Sequence, residues 1–175
     1  MNPLLKEGSH RFKTIEFDSI SLEHFMPAVE ESINIARQNI DKIKINKETP
    51  SFKNTILALE TSEEDLDRVV STYFHLLSSE STPEFQSLAN EISPMLANFG
   101  NDVTLDQELF KKVEEVYSNS YDSLDFEDKR LTEITYKSFV RNGAKLGDDK
   151  KDELRKVDEK LSSLSPKFSN NVLAA

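Results

Sequence analysis

The chain has 175 residues, of which 37% are hydrophobic and 31% charged, and its formal net charge is −10. This composition is typical of a folded protein rather than a disordered one, and the presence of only four glycines favours helices over strands. The acidic charge argues against binding to nucleic acid or anionic membranes, because both attract basic surfaces. It favours basic peptide partners by steering, although solubility alone is a sufficient explanation.

Cysteine is absent, which excludes disulfides, thiolate metal sites and cysteine nucleophiles. No apolar run is long enough to cross a membrane. The first ten residues lack the basic-then-apolar order of a secretory signal. We therefore expect a cytoplasmic protein.

Hydrophobic spacing and cap signals predict an all-α protein, an antiparallel bundle of about six or seven helices with a short extended N-terminal arm. No Gly/Ser-rich or Pro-rich linker divides the chain. We expect one domain, residues 1–175, composed of the arm (1–20), the first helices (21–120) and a C-terminal helix pair (125–174).

In chain order, Ile15, Phe17 and Ile20 are expected to lay the arm across the helical body. The first long helix begins near Pro27 and ends near residues 45–47, and its predicted buried face contains Val29, Ile33, Ala36, Ile40 and Ile43. Further helix starts are predicted at Thr49-Pro50, at residues 62–65, at Thr82-Pro83 and at a capping box in residues 104–107. Pro94 is expected to kink its helix, and Gly100 to end it.

The C-terminal helix pair has the clearest pattern. Asp125 is the predicted N-cap of its first helix, and Asn142-Gly143 the left-handed C-cap. The second helix begins at Asp148. Its apolar residues recur every three or four positions, which predicts a seam packed lengthwise on other helices of the chain: Leu154, Val157, Leu161, Leu164, Phe168 and Val172.

Groups that carry chemistry are hard to find. His10, His24 and His75 lie in separate predicted elements, and neither helical histidine has a carboxylate or a second histidine three or four residues away. We expect His75 to be a structural residue at the edge of the core. An acidic cluster lies at the start of the last helix, where carboxylates favour the helix dipole, and we interpret it as structural: Asp148, Asp149, Asp152 and Glu153.

Tyr117, Tyr121 and Tyr136 are candidates to line a peptide groove, although nothing in the sequence brings them together. Glu133 and Lys137 form an expected surface pair. The zinc motif His-Glu-x-x-His, the phosphate-binding loop and the Gly-x-Ser-x-Gly elbow are all missing. The sequence therefore assigns no catalytic residue, no metal ligand and no substrate-binding residue, and it predicts a helical scaffold.

Residues 135–144 (TYKSFVRNGA) and 161–173 (LSSLSPKFSNNVL) resemble the N-terminal third of zinc metallopeptidases of the thimet oligopeptidase and bacterial peptidyl-dipeptidase family. Matches in the same order occur upstream, at residues 23–28, 52–60, 66–69, 91–94 and 105–110. The EHF form at residues 23–25 leans toward the peptidyl-dipeptidase branch. Pro166 is a departure, since it interrupts the last helix.

The resemblance implies that the chain is a fragment, a channel-wall region of a peptidase that cleaves short peptides by zinc-activated water. In that family a His-Glu-x-x-His helix and a later glutamate hold the zinc, and no position here matches them. We therefore expect no zinc and no peptidase activity in this chain, and a C-terminal catalytic region as its partner. The alternative is a stand-alone helical interaction or dimerisation module that self-associates through an exposed apolar face.

Overall fold

The computed structural model describes residues 2–174, which form seven α-helices and contain no strand. The all-α prediction is confirmed. In order, the helices are α1 (Phe25–Ile45), the single turn α2 (Ala58–Glu60), α3 (Glu64–Ser79), α4 (Pro83–Thr104), α5 (Gln107–Asn119), α6 (Phe126–Arg141) and α7 (Asp148–Ala174). A π-helical segment, Phe52–Leu57, leads directly into α2.

Helix α1 lies at the centre of the core, packed against α3 and touching α4 and α5. Its predicted inner face is confirmed, because Val29, Ile33, Ala36, Ile40 and Ile43 are all buried. Helix α1 ends at Ile45, as expected. The buried residues of α1, α3, α4, α5 and α6 form one continuous hydrophobic cluster.

Three aromatic rings anchor one end of this core. Phe25 meets Tyr73 at 5.3 Å and Phe85 at 5.9 Å between ring centroids, both edge to face. The Tyr73 hydroxyl donates to the backbone carbonyl of Phe85 at 2.6 Å. The contacts join the starts of α1 and α4 to the middle of α3.

The N-terminal arm contains two single 3-10 turns, Pro3–Leu5 and Phe17–Ser19, so it is less extended than predicted. Its anchor is Leu4, which is 2% exposed, whereas Phe17 is 51% exposed. The Asn2 side-chain amide donates to the His24 carbonyl at 2.7 Å, and this bond ties the arm to the start of α1.

The predicted helix start at Thr49-Pro50 is wrong by two residues. Ser51 is the cap: its hydroxyl accepts the N–H of Asn54 at 3.2 Å, and the Asn54 side chain accepts the N–H of Ser51 at 2.8 Å. This reciprocal pair satisfies two backbone donors at once, which a lone threonine cap does not.

The helix start predicted at residues 62–65 is confirmed, because α3 begins at Glu64, but the start has no side-chain cap. The Ser62 hydroxyl donates backward to the Leu59 carbonyl at 2.7 Å. Acidic Glu64, Asp65 and Asp67 lie in the first turn of α3, where they favour the positive end of its dipole.

Helix α4 begins at the predicted Thr82 cap but continues past Gly100 to Thr104. The Thr104 hydroxyl donates to the Gly100 carbonyl at 2.8 Å, and Thr104 is the last residue of α4 rather than the cap of the next helix. Asp106 caps α5 instead, accepting the N–H groups of Glu108 and Leu109 at 2.8 and 2.9 Å. The predictions that Gly100 ends the helix and that residues 104–107 form a capping box are therefore wrong. Helix α4 is continuous through Pro94.

The caps of α6 are confirmed. Asp125 accepts the N–H of Asp128 at 3.0 Å. Gly143 has φ of 94°, and the N–H of Ala144 reaches back to the Phe139 carbonyl at 3.0 Å, which closes the C-terminus. The expected surface pair Glu133–Lys137 is present as well.

Helix α7 runs back along α4 in the opposite direction. Buried Lys151 donates to the Leu105 carbonyl at 2.8 Å, and Arg155 donates to Asp102 at 2.7 Å. Asp102 also accepts from Arg37 of α1 at 2.6 Å, so one carboxylate links three helices. We call Lys151, Arg155, Leu105 and Asp102 the α4–α7 clamp.

Substituting Gly143→Ala should destabilise the protein by about 1–3 kcal/mol, because an L-residue is strained at its positive φ and the new Cβ would lie 2.9 Å from a methyl of Leu154. Gly100→Ala is the matched control with the opposite sign. Nothing lies within 4 Å of that Cβ, so alanine should stabilise α4 by about 0.5–1 kcal/mol. Urea unfolding followed by circular dichroism measures both, and equal effects would contradict the assigned backbone conformations.

Burial raises the pKa of Tyr73 to about 12, from an ordinary value of 10.0. The neutral phenol is thus favoured in the folded state. Its contribution to the free energy of unfolding is fully present below pH 10 and is lost as the pH rises from 10 to 12. We expect the free energy of unfolding to fall by about 2–3 kcal/mol more in the native chain than in Tyr73→Phe across that window. Urea titrations of the two chains at a series of pH values from about 9 to 12 measure the difference, and parallel pH profiles would contradict the assigned burial of Tyr73.

Candidate functional site

The three histidines stay apart. The Nδ1 atom of His24 accepts the N–H of Ser21 at 3.0 Å and so helps to cap the turn before α1. His75 is exposed on α3, so its predicted place at the core edge is wrong. His10 is exposed in the arm, with its ring 4.0 Å from the carboxylate of Glu16.

The acidic residues at the start of α7 are solvent-exposed, and one of them is paired with a neighbouring lysine. Asp148 and Asp149 lie in the first turn, and Glu153 accepts from Lys150 at 2.7 Å. Across residues 2–174 no three histidine, aspartate or glutamate side chains converge to hold a metal ion.

The three candidate tyrosines do come together, although two of them lie nearly twenty residues apart in sequence. Tyr117 of α5 and Tyr136 of α6 stack at 4.1 Å between centroids with an interplanar angle of 6°, and Tyr121 lies 5.2 Å from Tyr117. We call these residues the tyrosine stack. It continues inward, because Phe110 lies 6.0 Å from Tyr136.

Lys145 lies against the outer edge of the tyrosine stack. Lys145 donates to the Tyr136 hydroxyl at 3.0 Å and forms an ion pair with Glu114 at 3.0 Å. These two bonds hold the pKa of Lys145 above its usual range. The stack is therefore a rigid, half-buried aromatic surface with a cation at its edge. It can contact apolar or aromatic groups of a peptide, and it offers neither a nucleophile nor a general base.

A groove of about 430 Å³ lies between α4 and α7. Its walls carry small or hydroxyl-bearing residues, among them Ala97, Gly100 and Ser162. Asn101 also lines it and is only 7% exposed, and among the described residues its side-chain nitrogen has no hydrogen-bond acceptor. We call this feature the α4–α7 groove.

The seam predicted on α7 faces away from the core. Five of its six residues are largely exposed, namely Val157 (60%), Leu161 (59%), Leu164 (49%), Phe168 (71%) and Val172 (60%). We call these five residues the α7 stripe. The prediction that the rest of the chain covers this seam is wrong, because the α4–α7 clamp turns a neighbouring side of the helix inward.

The clamp explains the orientation. Lys151 and Arg155 lie one turn apart, whereas Leu161 and Phe168 lie about 80–140° around the helix from them, at 3.6 residues per turn. A seam pattern shows that a helix has an apolar face but not which neighbour covers it, so sequence reasoning missed this surface. Asn101 and Asp102 gave no local signal either, since their partners lie more than fifty residues away or are absent.

Comparison with known proteins finds relatives that match almost the whole chain. Dipeptidyl carboxypeptidase of Escherichia coli (strain K12) is 36% identical over 176 residues, which cover 100% of this chain and 26% of the relative. Oligopeptidase A of the same organism is 26% identical over 99% of the chain and 25% of its own length. A probable cytosolic oligopeptidase A of Arabidopsis thaliana is 30% identical over 99% of the chain and 24% of its own length.

The chain thus spans about a quarter of the length of the relatives it matches. No family model matches it. In the part of the chain that the structure describes, no helix is long and apolar enough to cross a membrane.

Replacing stripe residues by glutamine should leave the isolated chain almost as stable as before. We expect Leu164→Gln and Phe168→Gln each to change the free energy of unfolding by less than about 0.5 kcal/mol, because exposed side chains contribute little. Leu109→Ala, at a fully buried position of α5, should cost about 2–5 kcal/mol. Urea unfolding compares the three, and a large loss from Phe168→Gln would mean that the stripe is packed within this chain.

Proposed function

The chain is related to the N-terminal region of peptidases of the thimet oligopeptidase and bacterial peptidyl-dipeptidase family, and on this premise we propose that it is the N-terminal helical part of a longer zinc-dependent peptidase. Residues 1–175 would form one all-helical domain of that protein. The observation that carries the proposal is the match along the whole chain to a dipeptidyl carboxypeptidase.

The proposed role of this region is to form part of one wall of the substrate channel. A wall of packed helices with a continuous hydrophobic core is rigid, so it can restrict access to short, unfolded peptides. The tyrosine stack is a surface suited to contact such peptides. The substrates would be short oligopeptides, with release of C-terminal dipeptides, and the protein would act in the cytoplasm.

The residues of this chain do not fit a zinc site. Between residues 2 and 174 the side chains of histidine, aspartate and glutamate do not supply three converging ligands, and structural or catalytic zinc needs at least three. The metal would therefore be held by the C-terminal region of the longer protein. No step of bond cleavage is assigned to this chain.

A second candidate function is a stand-alone helical module that binds another protein or itself. The observation that favours it is the α7 stripe, since contiguous exposed apolar surface is typical of interfaces. The two candidate functions predict different coding sequences. The peptidase requires a reading frame that continues far beyond Ala175 and encodes His-Glu-x-x-His.

We expect the product of the complete reading frame to release dipeptides from the C-termini of short peptides, and the 175-residue chain to release none. Mass spectrometry of a mixture of synthetic peptides measures the products, and elemental analysis after dialysis measures zinc. Stoichiometric zinc bound to the 175-residue chain would contradict the proposal. So would a long reading frame without His-Glu-x-x-His.

A further inference from the structure

The α7 stripe is a single continuous surface rather than scattered exposed residues. Its members follow one side of the helix from Val157 to Val172, a length of about 22 Å at 1.5 Å per residue. Each is between 49% and 71% exposed. Other exposed apolar side chains, such as Phe12 and Phe126, lie in different elements. A row of this length marks an interface.

The α4–α7 groove adjoins the stripe through Leu161, which belongs to both. Inside it, the buried side-chain nitrogen of Asn101 has no acceptor among the described residues. A buried donor without a partner destabilises the folded state. If the Asn101 side chain turns toward the groove, a segment that covers the groove can present a carbonyl or carboxylate oxygen and remove this cost.

Two observations favour one occupant over a second copy. The relatives are about four times as long as this chain, since it covers only 26% or less of each relative compared above, so their remaining length is available to cover this surface. A second copy would bring another formal charge of −10 to the surface, and like charges repel at close approach.

We propose that the α7 stripe and the α4–α7 groove are the surface on which the C-terminal region of the longer protein docks, and that this region supplies the acceptor for Asn101. The inference rests on the proposed function, because it takes the chain as the N-terminal part of a longer peptidase. It assigns the contact to particular residues, whereas the proposed function only requires that some contact exists.

The test uses thiol labelling, because the chain contains no cysteine. Leu164→Cys and Phe168→Cys are introduced singly, both into the 175-residue chain and into the product of the complete reading frame. Glu48→Cys, in the exposed turn after α1, confirms that the reagent is active in both proteins. Labelling rates with a maleimide are resolved by mass spectrometry of the peptide that carries each introduced thiol.

We expect the two stripe thiols to react at least about tenfold more slowly in the complete protein than in the isolated chain, since a covered thiol reacts only during local opening. Equal rates in the two proteins would overturn the proposal. Protection in the isolated chain that grows with protein concentration, together with a dimer in sedimentation, would overturn it in favour of a second copy. A reading frame that ends close to Ala175 would also overturn it.

Asn101→Ala tests the acceptor separately. In the isolated chain it should not lower the midpoint of urea unfolding, because the amide nitrogen has no partner there to lose. In the complete protein it should speed the labelling of Leu164→Cys, and an unchanged rate would overturn the assignment of the acceptor.

Dipeptide release is measured on the same complete protein. Protected thiols without peptide cleavage would contradict the proposed function but support the docking surface. Peptide cleavage with unprotected thiols would support the proposed function but contradict the docking surface.

Discussion

The α4–α7 clamp determines the character of the surface that this chain presents. Lys151 is only 5% exposed, and a buried ammonium is tolerated only where an acceptor meets it. The Leu105 carbonyl does so at the C-terminal end of α4, where the helix dipole is negative. Because Arg155 is held one turn later by Asp102, the rotation of α7 about its axis is set, and its apolar side is left outward.

The residues that meet between the two helices are consistent with this orientation. On α4 the facing positions include Ala97, Gly100 and Thr104, and on α7 they include Ser162 and Ser165. Small side chains let helices approach closely but offer little apolar area to bury. Apart from Leu161, which lines the α4–α7 groove, the large side chains of the α7 stripe therefore have no matching surface on α4. The core is instead completed by α1, α3, α4, α5 and α6, and α7 contributes a second face that the described residues leave uncovered.

This arrangement is consistent with the relationship to peptidases several times longer. The described residues hold a well-packed scaffold, a rigid tyrosine stack and an apolar stripe, but no convergent set of metal ligands or acid–base groups. The proposed wall would need rigidity and an attachment surface rather than reactive groups. The packed core and the α7 stripe are the features that we propose for these roles.

Local sequence signals determined much of the fold: the helical class, the inner face of α1, the Thr82 and Asp125 caps and the left-handed Gly143 were all predicted correctly, because each depends on residues within one or two turns. The errors arose where competing partners lay nearby, as when Thr104 bonded back to Gly100 and Asp106 became the cap. The three tyrosines were candidates from the sequence, but the sequence did not predict that they lie close together. Only the tertiary structure decided three features: the stacking of Tyr117 on Tyr136, the contacts of Arg37 and Arg155 with Asp102, and the outward face of α7. A periodic pattern defines an apolar face of a helix, but contacts between distant residues decide what covers that face.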